Sequence, residues 1–232
     1  MKRFYERVNV EPADRGFAIA LDGRSIRTPK KAAFNVPGQP LAKAIAEEWL
    51  RQGEDIVPDS MPFFRLANTA IDMIAPQRDA VVDNLAAYGG TDLLCYRAED
   101  PADLVSRQHE TWSPWLDWAH SHYGARLVTT NGIGHVAQDD GALASLRGAV
   151  NSHGIMELAS LNDLVTISGS LVLALAISAG ALDLPAAWAA VRLDNDFQAE
   201  KWGRDHEAEA HAAHLREDFE GAVQFLEICR MA

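Results

Sequence analysis

The sequence predicts an α+β fold, with a small N-terminal α/β part over residues 1–60 and a larger all-α part over residues 61–232. Three observations predict it. Strand-like alternation and a hairpin signal are concentrated in the first sixty residues, and beyond Pro62 the apolar spacing turns helical. Residues 164–182 then run without a charge, with large apolar side chains on every helical face, so this segment has no solvated stripe and needs cover on all sides.

Taken in order, residues 4–8, 17–21 and 33–36 read as strands. Asp22-Gly23, between Leu21 and Arg24, is a two-residue hairpin signal because both positions tolerate positive φ. Pro40 opens a helix through Trp49, with Leu41, Ile45 and Trp49 on the face that lies on the sheet. Further helices are expected over 63–75, stopped by Pro76, and over 77–88, ended by Gly89-Gly90, with Thr91 capping a short segment after it. A helix from Pro101 to about Tyr123 contains Pro114 and stops at Gly124. Residues 126–130 are extended, and Asp139 caps a helix to about Ser152. The central helix is expected over 162–180 without a break, and Pro185 starts a last helical region that Gly203 divides.

About twenty apolar residues would also span a bilayer. Composition argues for a soluble helical domain instead: Thr166, Ser168, Gly169, Ser170 and Ser178 dilute the segment, Asp163 and Asp183 flank it, and no aromatic anchors mark its ends. Membrane insertion is therefore not expected. The N-terminus has no apolar core or small-residue cleavage site, and Cys95 and Cys229 lack motif spacing, so a cytoplasmic setting is the expectation.

Net charge is −12 and uneven: residues 1–60 carry ten Lys/Arg against nine Asp/Glu, and the remainder eleven against twenty-four. Phosphate backbones would be repelled by the larger part, which disfavours nucleic acid as a partner and suits a basic protein surface.

Chemical motifs are sparse. Gly132, Gly134 and Ala137 match a dinucleotide fingerprint on paper, but the helix starts later, at Asp139, and no further βα unit follows; the bland alternative is a glycine-rich turn. Glu207, His211 and His214 share one helix face and could supply three metal ligands, which would make a metal-dependent hydrolase the alternative function. Their setting is charged and alanine-rich, as a solvated face would be, and no fourth ligand is apparent. No nucleophile elbow, Walker loop or Cys-His pair is present. From residues 192 to 205, Arg192/Asp196, Asp196/Glu200 and Glu200/Arg204 are each four apart, beside Phe197 and Trp202. That pattern is either a salt-bridged exposed face over buried aromatics or an interface of aromatic anchors beside unneutralised carboxylates.

The chain resembles the family of assembly chaperones for the catalytic sector of F-type ATP synthase, in the branch that holds the alpha subunit before it joins the beta subunit. The resemblance rests on FYERV at Phe4, LDGRSIRTP at Leu21, AIAEEW at Ala44, PFFRLANTAID at Pro62, TDLLCYR at Thr91, ETWSPWL at Glu110, SLNDLVTISGSLVLALA at Ser160 and RLDNDFQAEKWG at Arg192. Asn195 departs from the acidic residue more usual in the family. The resemblance implies a small α/β domain before a helical one, no enzymatic activity, no cofactor, and the alpha subunit as partner; a monomer is the expectation. It also implies a bacterial cytoplasmic protein whose eukaryotic relatives work in the mitochondrial matrix. Carried over to this sequence, the binding residues would be Asp194, Asp196, Gln198, Glu200 and Trp202, while Trp49 and Arg65 would join the two domains.

Overall fold

The protein's structure is a computed structural model that describes residues 1–231, so the last residue of the expected helical part lies outside it. The fold is α+β, a small N-terminal sheet followed by helices. Two compact units divide it: Met1–Arg78 with Gly154–Ser160 and Gly221–Ala232, and Asp79–His153 with Leu161–Glu220.

In the first unit, β1 (Val8–Ala13), β2 (Gly16–Leu21) and β3 (Arg24–Ser25) form an antiparallel meander, and β4 (Asn35–Val36) pairs with the other end of β2. Asp22 and Gly23 take φ of 49° and 80°, the left-handed pair that a two-residue turn requires. Strand β1 starts where the expected strand over 4–8 would have ended. The reason is hydrogen bonding: the Glu6 and Arg7 amides donate to the Asp22 carboxylate at 3.1 and 2.9 Å, and so cannot join a ladder. Tyr5 is buried instead, its hydroxyl donating to the Trp49 carbonyl at 2.6 Å.

Helix α1 (Gln39–Leu50) covers the sheet with Leu41, Ile45 and Trp49, all buried. Its buried Glu48 accepts from the amides of Phe63 and Phe64, at 2.7 and 2.8 Å, in the first turn of α2 (Pro62–Thr69). Phe64 in turn packs on Phe34 and Trp49 with ring centroids 5.2 and 5.0 Å apart. These contacts place α2 in the first unit, so the boundary expected at residue 60 falls inside that unit. Trp49 and Phe64, which lie on either side of residue 60, both belong to that unit. Nor does Pro76 stop the chain cleanly. After Thr69 the helix widens into a π turn over 70–74 and tightens to a 3-10 turn over 75–77, which accommodates a ring that cannot donate, and α3 (Arg78–Ala87) follows at once.

The second unit is organised around Asp92. Asp92, not Thr91, caps the 3-10 turn over 93–95, accepting from the Leu94 amide at 3.1 Å. Fully buried, it also accepts from the Ser170 hydroxyl at 2.7 Å and the Val172 amide at 3.0 Å. The expected continuous helix is thus two helices, α6 (Ile155–Ser168) and α7 (Leu171–Ser178). Gly169 ends the first at φ 68°, and Ser170 caps the second by accepting from Leu173 N at 3.0 Å. Helix α7 is buried along its whole length, packed in this unit on α4 (Ala102–Tyr123) and α8 (Leu184–Trp202), so the apolar segment is covered by protein. Among the described residues no helix is long and apolar enough to cross a membrane.

Gly124, at φ 70°, ends α4, and Asp139 caps α5 (Asp140–Asn151) by accepting from Ala142 N at 2.9 Å. Between these helices β6 (Thr130–Asn131) pairs in parallel with β5 (Tyr96–Arg97), which precedes α4. Gly132, at φ 72°, turns the chain directly after β6, well before α5, so the paper fingerprint is a turn. Gly203, at φ 94°, separates α8 from α9 (His206–Cys229).

Candidate partner-binding face

The five candidate residues lie on the C-terminal half of α8, and the structure divides them into two groups. The first is tied down. Along the seam between α4 and α8, Lys201 meets Asp103 at 2.9 Å, Arg107 meets Glu200 at 2.8 Å, Gln108 Nε2 donates to Asp194 at 2.7 Å, and Trp112 Nε1 donates to the Ala190 carbonyl at 2.9 Å. The spacing of 103, 107, 108 and 112 on one helix against 190, 194, 200 and 201 on the other places these pairs along one line of contact.

Phe197 is buried in that seam, with the Arg107 guanidinium and the Lys201 ammonium each 5.2 Å from its ring centroid. The hydrogen bond from Lys201 holds the Asp103 carboxyl below its usual range. Arg97 supports Gln108 from behind, donating to its carbonyl at 2.6 Å and lying over the Trp112 ring at 5.3 Å. Burial lowers the pKa of Arg97, an effect that the charge of Asp194 opposes.

Asp194 and Glu200 therefore join α8 to α4. Asp196 pairs with Arg192 one turn earlier, at 3.1 Å. Glu200 and Asp196 are thus ion-paired within the protein, and Asp194 is hydrogen-bonded by a neutral amide, so all three acids have partners of their own. Glu200 meets Arg107 from α4 rather than Arg204, and Arg204 reaches Glu209 on α9 at 3.2 Å.

The second group is open. Gln198 and Trp202 line a groove of about 1040 Å³ between the end of α8 and the start of α9. Trp202 is 78% exposed, and Gln198 makes no side-chain hydrogen bond among the described residues. Asn195 is exposed on the same wall, so 195, 198 and 202 form one stripe at helical spacing. The opposite wall is α9, where Ala208, Ala212 and Leu215 supply small and apolar surface. Sequence reasoning missed that wall because the run of Ala, Glu and His there reads as a solvated face; the signal was the four-residue spacing of Ala208 and Ala212.

Glu207, His211 and His214 do not form a metal centre. His214 lies 4.0 Å from Glu217 and 3.7 Å from Asp218, and among the described residues no group of three His, Cys, Asp or Glu side chains could hold an ion. What the groove offers is an exposed indole, neutral amides and a rim of ion pairs closed within the protein, an arrangement suited to covering another polypeptide surface.

The family model described as ATP12 chaperone protein matches residues 2–120. The crystal structure of Atp12 from Paracoccus denitrificans is similar over 99% of this chain and 98% of that one, at 46% identity and a TM-score of 0.95. A lysine-for-aspartate mutant of the same protein matches at 45% identity over the same shares, again with a TM-score of 0.95. The mitochondrial protein atp12 of Schizosaccharomyces pombe is 25% identical over 214 residues, covering 87% of this chain and 74% of that protein. By this match, and by motifs that run nearly end to end, the chain belongs to the ATP12 chaperone family, the ATP synthase assembly chaperones its sequence resembles.

Proposed function

We propose that this chaperone binds the unassembled alpha subunit of the F-type ATPase catalytic sector and masks its subunit interface until the beta subunit replaces it. The observation that carries this reading is the exposed Trp202 at the mouth of the α8/α9 groove, in a chain of an assembly-chaperone family. Aromatic anchors ringed by polar groups are where binding energy concentrates in protein interfaces. An unassembled subunit exposes surface meant for its neighbour, and a reversible cover suppresses its aggregation.

Of the five residues carried over from the family, Trp202 and Gln198 touch the client directly. Asp194 and Glu200 act by holding α8 in place, and Asp196 sets the charge of the rim. Masking is stoichiometric and makes or breaks no covalent bond, so it needs neither catalysis nor a cofactor; in this reading the protein acts as a monomer in the bacterial cytoplasm. The net negative charge beyond residue 60 favours approach by basic client surface.

Co-purification of the tagged wild type and of Trp202→Ala from cells expressing the alpha subunit tests the reading. Alpha subunit should accompany the wild type and be lost or strongly reduced with the variant. Equal recovery with a folded variant removes the groove from the proposal.

A further inference from the structure

A second cleft, in the first unit, has the chemistry of a peptide-binding site, and its character is the reverse of the α8/α9 groove. It encloses about 510 Å³, within the range of ligand sites. Its aromatic wall is built from Phe4, Tyr5, Trp49 and Phe64, with successive ring centroids 5.5, 5.6 and 5.0 Å apart. Phe4 is 65% exposed, whereas Trp49 is 6% exposed and its buried Nε1–H has no hydrogen-bond partner. Buried indole donors normally find an acceptor, so a residue of the cleft wall carries an unsatisfied donor.

The rim is cationic. Arg24 has no side-chain partner among the described residues, and Arg27 uses one nitrogen on the Lys31 carbonyl at 3.0 Å. Asp22, the acid on this rim, is already engaged by the Glu6 and Arg7 amides and by the Arg7 guanidinium at 3.9 Å. Strand β3 borders the cleft as an edge strand. Leu21 and Arg24 flank a two-residue turn and pair with each other, and Ile26 N donates to Ile19 O at 2.9 Å, so the intervening Ser25 turns its amide and carbonyl away from the sheet. An extended chain could pair there.

From these features we infer that the cleft binds an extended acidic segment of a client polypeptide, seating an aromatic or large aliphatic side chain against Trp49 and Phe64. A carboxylate of the segment meets Arg24, and its backbone adds along β3. This rests on the chaperone reading, but the probe is a peptide and not the client. Failure of the alpha-subunit proposal would therefore leave the result here standing.

The test follows the Trp49 indole N–H resonance of the full chain by NMR, assigned with Trp49→Phe. The probe is a blocked hexapeptide alternating aspartate with phenylalanine or leucine, and the control replaces each aspartate with lysine. The acidic peptide should shift that resonance saturably, at least five-fold more tightly than the basic one. Arg24→Glu should weaken it at least five-fold, and Trp202→Ala should leave it unchanged. No shift, equal binding of the basic peptide, or indifference to Arg24→Glu would overturn the inference. So would phenylacetate alone binding as tightly as the peptide, which marks a small-molecule site, or a shift driven by protein concentration without peptide, which marks self-association.

Discussion

Two buried carboxylates at single positions hold helices together. Glu48 accepts from two amides at the start of α2, and burial pushes its pKa up to about 7 against those hydrogen bonds. A folded-state value above the unfolded one means that the folded protein keeps a proton which the unfolded chain releases between pH 4.5 and 7. Stability from this group is thus fully present below about pH 4.5, falls as pH rises toward 7, and is flat beyond. Denaturant unfolding at several pH values should show Glu48→Gln with a smaller loss than wild type over that window, the difference reaching about 3 kcal/mol at most. Asp92, which burial pushes up to about 6, contributes a slope of the same sign between about pH 4 and 6. Replacing Asp92 is the harsher change, because it leaves the Leu94 and Val172 amides and the Ser170 hydroxyl without their acceptor in a buried site. Asp92→Ala should cost about 3 kcal/mol or more by chemical denaturation.

Elements were legible in the sequence wherever one residue carried a local signal. Asp22-Gly23 specified its turn, Asp139 its helix cap and Gly203 the division between α8 and α9, because each acts within its own few residues. Two of the differences share a cause in partners outside the local segment. The break at Gly169 depends on Asp92, nearly eighty residues earlier, and the placement of α2 depends on Glu48. Apolar periodicity cannot report a hydrogen bond made by a remote side chain. Two glycines separate strain from collision. At Gly169 a Cβ would have room, its nearest neighbour being Leu93 at 3.9 Å, so Gly169→Ala should cost only the left-handed backbone term of about 1–2 kcal/mol. At Gly16, with φ 93°, the same atom would lie 2.1 Å from the Val36 carbonyl oxygen. Thermal unfolding should therefore place Gly16→Ala clearly below Gly169→Ala, and an equal loss would contradict the close approach of β2 and β4.

At the scale of the molecule, sequence pattern pointed to the end of α8 as the candidate binding face but could not assign roles along it. Residues 194, 196 and 200 look equivalent to 198 and 202 in a linear reading, and only the position of α4 reveals that Asp194 and Glu200 already have partners. Surface loss at Trp202 should therefore leave stability alone, whereas Glu200→Lys sets like charge against Arg107 and loosens the α4–α8 seam. The binding energy assigned to the groove can be measured with purified alpha subunit by calorimetric titration against wild type and Trp202→Ala, with melting temperatures recorded in parallel. Loss of an anchor worth about 2 kcal/mol weakens affinity roughly 30-fold, and that loss at an unchanged melting temperature is the expected result; undiminished affinity, or no binding by the wild type, would contradict it.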